Sequence, residues 1–224
     1  MMDFTLSAAS LLGLCSIATA AGAACAKAAP PQGFVRLSDV APHIVQDMRY
    51  AGPENFTGRP VPGYHAPRCW LRVEAAQALK AAHEEAAKEG LNLVVYDCYR
   101  PPAATRAFIA WAEDAADQKM KEAYYPRVDK RALFDLGYIA KASTHTTGLA
   151  VDLAFEGLDF GTPFDLFDDI SATADPNVTS AARKNRDRLV ALMVKHGFEN
   201  LPNEWWHFTF KGSADPSPAD FDVE

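Results

Sequence analysis

Beyond residue 33 the apolar positions fall into short runs of contrasting period. Ala75, Ala76, Leu79, Ala82 and Ala86 recur at three- and four-residue intervals, which predicts a helix over 73–89 stopped by Gly90. Leu91 to Tyr96 (LNLVVY) is a short continuous apolar run and predicts a buried strand that ends before Arg100-Pro101-Pro102. A second helix is expected over 103–116, with Phe108, Ile109 and Trp111 on its apolar side. Leu149–Phe155 predicts another strand. Ser180 can cap a helix running to His196 and closed by Gly197, and Trp205–Phe210 predicts a last aromatic strand. Gly52, Pro53, Gly58, Pro60, Pro62, Gly63 and Pro67 mark 50–68 as a long loop, a length more often functional than idle. Residues 117–142 are mixed and polar and carry no assigned element, and 211–224 form a Pro- and Asp-rich tail. Helices and strands do not alternate regularly, so the expected class is α+β, a single compact domain, rather than a doubly wound sheet.

The N-terminal segment differs in kind. Phe4 to Ala26 carries no charged residue; Leu11, Leu12, Leu14 and Ile17 form an apolar centre followed by small residues. This predicts a signal peptide over 1–26, cleaved after Ala20 or Ala23, and an exported domain over 27–224, periplasmic or extracellular, opening on a flexible lead-in at 27–33; an uncleaved membrane anchor and a lipoprotein cut before Cys25 are the alternatives. Export changes the reading of the cysteines. Cys15 and Cys25 belong to or border the signal, which leaves Cys69 and Cys98 as an even pair in an oxidising compartment: a candidate disulfide, with two buried thiols as the alternative. The chain has 224 residues, 49% hydrophobic and 23% charged, with a formal charge of −7. That is enough for one folded domain. Without a basic stripe, nucleic acid is not an expected partner, and no stable membrane association is expected once the signal is removed.

Two segments carry candidate chemistry: Ser143-Thr144-His145-Thr146-Thr147-Gly148-Leu149-Ala150-Val151-Asp152 and Asn203-Glu204-Trp205-Trp206-His207. Together they offer two imidazoles and two carboxylates, and a catalytic zinc takes three such ligands while keeping a position for water. His145 and Asp152 are seven apart, so on one unbroken strand they would face opposite ways. Gly148 predicts a turn bearing His145 and a strand bearing Asp152. Glu204, three residues before His207, is expected at the mouth of the last strand or on a bulge, with Trp205, Trp206 and Phe208 walling the site. Singly, each of these residues is more often structural than ligating. His43, His65, His83 and His196 stay at that level.

His-x6-Asp followed by Glu-x-x-His resembles the metal signature of the VanX-type zinc D-Ala-D-Ala peptidases. So do Asp47-Met48-Arg49-Tyr50-Ala51 with Asn55 to Tyr64, Tyr96-Asp97-Cys98-Tyr99-Arg100-Pro101, and Gly161-Thr162-Pro163-Phe164-Asp165 with Phe167-Asp168. The likeness runs over about 34–222. It implies a D-Ala-D-Ala peptidase/hedgehog-like fold with a twisted, mostly antiparallel sheet, packed helices and a zinc cleft. It implies one zinc per chain on His145, Asp152 and His207, with Glu204 as the catalytic carboxylate and Arg100 facing the tetrahedral intermediate. Asp165, Tyr50 and Ser143 are implied to shape a dipeptide pocket, with Tyr64 and Asp97 as further neighbours. The implied activity is hydrolysis of D-Ala-D-Ala to D-alanine in the cell envelope. The alternatives are a zinc D,D-carboxypeptidase acting on peptidoglycan stems and a non-catalytic wall-binding protein.

Overall fold

The computed structural model describes Met1 and residues 31–224, so the expected signal segment and its cleavage point lie outside the described residues, Met1 aside. In chain order the strands are β1 (Phe34–Arg36), β2 (Val45–Gln46), β3 (Trp70–Arg72), β4 (Leu93–Asp97), β5 (Ala150–Phe155), β6 (Phe198–Asn200) and β7 (His207–Phe210). The helices are α1 (Leu37–Val40), α2 (Val73–Lys88), α3 (Pro102–Glu113), α4 (Lys121–Tyr124) and α5 (Ser180–Lys195). Five strands form one sheet in the order β2-β4-β5-β7-β6. Only β2–β4 is parallel, and β1 pairs with β3 as a separate antiparallel ribbon. The fold is α+β with a mostly antiparallel sheet, as expected.

The periodic segments fold where their patterns place them. α2 buries Ala75, Ala76, Leu79, Ala82, His83 and Ala86. Its small side chains let it lie close to β3 and α5. α3 starts at Pro102, one residue earlier than expected, and stops at Glu113 rather than 116. Proline suits the first helical turn because its missing N–H has no intrahelical partner there. The cap of α5 is Thr179, not Ser180: the Thr179 hydroxyl accepts from the Ala182 N–H at 3.1 Å. β5 is buried along its whole length, as befits the middle strand of the sheet.

One expectation needs correction. The last strand begins at His207, and Trp205 and Trp206 belong to the turn before it. The Pro- and Asp-rich 211–224 tail packs against the domain. The Val223 N–H donates to the Gly63 carbonyl at 2.8 Å, Val223 is buried, and Phe221 stacks on Tyr99 with centroids 4.0 Å apart. The tail thus straps the 63–65 loop to the segment bearing Tyr99. Among the described residues, no helix is long and apolar enough to cross a membrane.

Candidate active site

The site begins as a row across the sheet. Asp97 of β4 pairs with Asp152 of β5, and Asp152 pairs in turn with His207 of β7. Residues directly opposite on neighbouring strands project from the same face, so register alone stacks these three side chains. His145 enters from outside the sheet. It sits in the 3₁₀ turn Thr144–Thr147, capped by the Ser143 hydroxyl, which accepts from the His145 N–H at 3.3 Å. Gly148 ends that turn at φ 74°. A Cβ there would lie 2.2 Å from the Phe34 ring, so both the left-handed backbone and the close approach demand glycine. The turn followed by a strand is the arrangement expected from the seven-residue spacing.

His145 Nε2, Asp152 Oδ1 and His207 Nδ1 form a triangle. The sides are 3.2 Å (His145–Asp152), 3.0 Å (His207–Asp152) and 3.1 Å (His145–His207). All three residues are buried. A tetrahedral ion with ligand bonds of about 2.0–2.1 Å has ligand–ligand edges of roughly 3.3 Å, close to this triangle. The chemistry agrees: a carboxylate in a fully buried strand is costly without a cation to pair with. Burial would push the Asp152 carboxyl up, but the two imidazoles hold it below the ordinary carboxylate range. Burial likewise pulls the His145 imidazole down, and the facing carboxylates of Asp152 and Asp97 carry it above its ordinary value. The donor set fits a dication.

The other ring nitrogens are also fixed. His145 Nδ1 lies 2.7 Å from the Cys98 carbonyl oxygen and 3.4 Å from Asp97 Oδ2. His207 Nε2 lies 3.3 Å from the hydroxyls of both Thr144 and Thr209. Such outer partners set the tautomer and ring angle of a ligating histidine. Thr144, Thr209 and the Cys98 carbonyl were not legible in the sequence, because a hydroxyl or a main-chain oxygen in this role leaves no pattern.

Glu204 closes one side. Its Oε2 is 3.9 Å from His207 Nδ1, near the donor triangle without joining it. It occupies the turn before β7, where Asn200 Nδ2 donates to the carbonyls of Glu204 and His207 at 3.1 and 3.0 Å. Desolvation, with the charge of Asp152 adding to it, pushes the Glu204 carboxyl up to about 7. Arg100 closes another side. Its Nε and Nη2 donate to Asp97 Oδ2 at 3.0 and 2.8 Å, and its guanidinium lies 5.3 Å from the Tyr50 ring centre and 5.0 Å from that of Phe108. Burial opposes its charge, but Asp97, Tyr50 and Tyr64 hold its pKa well above the ordinary value.

A cleft of about 410 Å³ joins these groups; its walls include Tyr50, Arg100, Ser143, Asp165, Glu204 and Trp206. Asp165 reaches it from a loop, at φ 63°. Asp tolerates that left-handed region better than most residues. The Tyr50 hydroxyl donates to Asp165 Oδ2 at 2.8 Å. Burial and the nearby Asp152 raise the Asp165 carboxyl well above its usual range. Two expectations shift. Asp97 and Tyr64 do not line the cleft; they stand behind Arg100, with the Tyr64 hydroxyl donating to Asp97 Oδ1 at 2.6 Å. Of the expected aromatic wall only Trp206 faces the cleft, while Trp205 stacks on Phe160 at 4.3 Å and Phe208 is core. The candidate disulfide is present: Cys69 and Cys98 are joined. Four other histidines stay outside: His65 pairs with Asp222, His196 with Glu85, His83 is buried on α2, and His43 is not among the cleft residues.

The family model described as D-ala-D-ala dipeptidase, of the M15 peptidases, matches residues 31–222. The chain belongs to this family. It is a metallopeptidase. A D-alanyl-D-alanine dipeptidase of Enterococcus faecium is 36% identical over 86% of this chain and 98% of its own length. One from Enterococcus faecalis is 35% identical, over 79% of this chain and 90% of its own. A third, from Streptomyces coelicolor, is also 35% identical, over 82% and 94%. The M15 match spans both candidate ligand segments and every residue of the cleft described above.

Proposed function

We propose that this M15 peptidase hydrolyses the free dipeptide D-Ala-D-Ala to two molecules of D-alanine, with zinc held by His145, Asp152 and His207. The observation that carries the reading is the placement of Asp165. A buried carboxyl, bonded to Tyr50, shares one cleft with the donor triangle, Glu204 and Arg100. A free dipeptide brings an ammonium close to its only amide bond, and Asp165 is a counter-charge for it. A longer peptide brings a neutral amide instead and leaves the carboxyl without a cation.

When bound, zinc supplies Lewis acidity toward the scissile carbonyl and lowers the pKa of a coordinated water. Glu204 takes a proton from the attacking water and returns it to the leaving amine. Arg100, pinned by Asp97, presents a fixed positive charge to the oxygen on which negative charge develops. Trp206 excludes bulk water from one wall. Two nitrogens and one carboxylate oxygen, buried and spaced for a small tetrahedral ion, favour zinc over harder oxygen-seeking cations. The disulfide and the apolar segment at residues 4–26 support action outside the reducing cytoplasm, in the cell envelope.

A substrate panel tests this: free D-Ala-D-Ala, its N-acetylated form, an L,L-dipeptide and a stem pentapeptide, each with and without chelator. The expected result is chelator-sensitive cleavage of the free D,D-dipeptide alone. Equal cleavage of the pentapeptide would move the enzyme to the D,D-carboxypeptidases. Binding without turnover on every substrate would mark a wall-binding protein.

A further inference from the structure

The carbonyl oxygen of Cys98 is the nearest partner of His145 Nδ1, at 2.7 Å. No side-chain substitution can remove a main-chain oxygen, so its position must come from whatever holds the backbone of residue 98. The sheet does so poorly. The β4–β5 ladder shifts register between Val95 and Asp97, and Cys98 lies past its last pair. β2 pairs with β4 only at Val94 and Val95. Beyond Cys98 the chain turns through Arg100 and Pro101 into α3. Two backbone bonds remain nearby: Tyr99 N–H to Trp70 O at 2.9 Å, and Arg100 N–H to His145 O at 3.2 Å. The second depends on the same turn it would have to fix.

Cys69, at the other end of the disulfide, is anchored on both sides. Its N–H donates to Gln46 Oε1 at 2.9 Å, and its carbonyl accepts from the Leu37 N–H at 2.9 Å. Both cysteines are fully buried, in a layer that also holds Tyr99 and Trp70. The covalent bond therefore transfers the fixed position of Cys69 to a segment the sheet has released.

We propose that the Cys69–Cys98 disulfide is a positioning element of the metal centre: it fixes the Cys98 carbonyl against His145 Nδ1 and so sets the ring that offers Nε2 to the ion. Loss of an outer partner of a ligating histidine typically weakens metal binding about 10–100-fold, and that is the scale expected here. The inference rests on the metal reading of His145, Asp152 and His207. It goes beyond that reading in assigning the disulfide to the metal site rather than to general stability.

The test compares the full-length wild type with C69A/C98A and H145A. Zinc affinity is read by competition with a chromophoric chelator, cobalt binding by its visible absorption, and the fold by thermal unfolding without metal. The expected result is a cooperatively folded C69A/C98A that binds zinc 10–100-fold more weakly and shows an altered cobalt band. A merely structural bond would lower the melting temperature and leave affinity and cobalt absorption of the folded chain unchanged, which overturns the proposal. A double variant that cannot fold overturns it too, since the bond would then serve the whole domain. Wild-type protein that binds no zinc, or an H145A chain that binds it as tightly, would defeat the metal reading itself and this inference with it.

Discussion

The Tyr50 hydroxyl bonds the Asp165 carboxyl at 2.8 Å across 115 positions of sequence. The contact joins the start of the long 50–68 loop to a loop residue held in a left-handed conformation. Tyr50 is itself fixed by rings, with Phe108 at 4.9 Å and Phe56 at 5.9 Å. If Asp165 meets the substrate ammonium, Asp165→Asn should raise KM for free D-Ala-D-Ala by about 10–100-fold, the loss expected for a buried charge-assisted bond of ~1.5–3 kcal/mol. Zinc content should not change. Parallel steady-state kinetics and metal analysis check this, and joint loss of metal and activity would remove Asp165 from the substrate pocket.

Glu204 stands 3.9 Å from His207 Nδ1 yet outside the donor triangle. Glu204→Gln keeps its shape and removes its basicity. The expected outcome is a fall in kcat of about 10²–10⁴ with zinc still stoichiometric. Near-normal turnover in that variant would assign the proton transfer to another group.

Arg100 is gripped by Asp97 through two nitrogens, so its guanidinium is aimed before substrate arrives. Lysine keeps the charge and loses the fork. Arg100→Lys should lower kcat about 10²–10³-fold, the usual scale for losing one oxyanion donor. Asp97→Asn should reproduce part of that loss, because Asp97 also faces His145 Nδ1 at 3.4 Å. It should weaken zinc binding as well, which Arg100→Lys should not. Metal affinities of the two variants separate the roles.

The ligand turn, the ligand strand and the Glu-x-x-His segment were legible because each pairs a polar side chain with a local backbone signal: Gly148, the apolar run 149–155 and the aromatic run 205–210. Their convergence was legible only through the resemblance, since cross-strand register is a non-local property. Asp97 shows the limit. From sequence it is a neighbour of the site; in the fold it continues the row Asp97–Asp152–His207 and supports Arg100 from behind. The short strands β1, β3 and β6 were missed because three residues carry too little period to register. The packing of the tail was not legible for a different reason. Phe221 and Val223 are too few to make a pattern, and main-chain bonds such as Ala219 N–H to the Thr146 carbonyl at 2.8 Å leave none.

Asp168 links stability to pH. It is buried while its partner Arg127 is 69% exposed, and it also accepts from the Ile170 N–H at 3.1 Å as a helix cap. Hydrogen bonding to Arg127 holds the Asp168 carboxyl below the ordinary carboxylate range. A depressed pKa means stability that is present above the unfolded value, about 3.9, and lost as pH falls through the folded one. Asparagine can still cap the turn but cannot pair with Arg127 as an anion. Denaturation curves should therefore separate wild type from Asp168→Asn at pH 7, with the gap closing below about pH 4. The gap should also shrink in high salt, since Arg127 is exposed. A difference that persists unchanged at pH 3 would mean that packing, not charge, distinguishes the two.

Arg186 holds the Asp165 loop by its ends. It is completely buried on α5, and it has no carboxylate partner in the described residues. Its Nε donates to the Phe160 carbonyl at 2.8 Å, and its Nη1 to the carbonyls of Ile170 and Ala172 at 3.0 and 2.7 Å. Those three oxygens bracket the stretch that carries Asp165 into the cleft. Burial, aided by the nearby Arg183, lowers the Arg186 pKa to about 10, which still leaves it charged at neutral pH. Arg186→Met fills much of the same space but leaves the Phe160 and Ile170 carbonyls without a donor, while the Ala172 carbonyl keeps the Asp175 N–H at 3.0 Å. The expected cost is on the order of 2–4 kcal/mol, from unsatisfied buried acceptors. Because the donor triangle lies on strands β5 and β7 and on the 144–147 turn, zinc affinity of the folded variant should hold. KM for the free dipeptide should rise as Asp165 loses its fixed position. Thermal unfolding, chelator competition and kinetics on one preparation give the three readouts. A variant with normal KM would show that Tyr50 alone suffices to place Asp165.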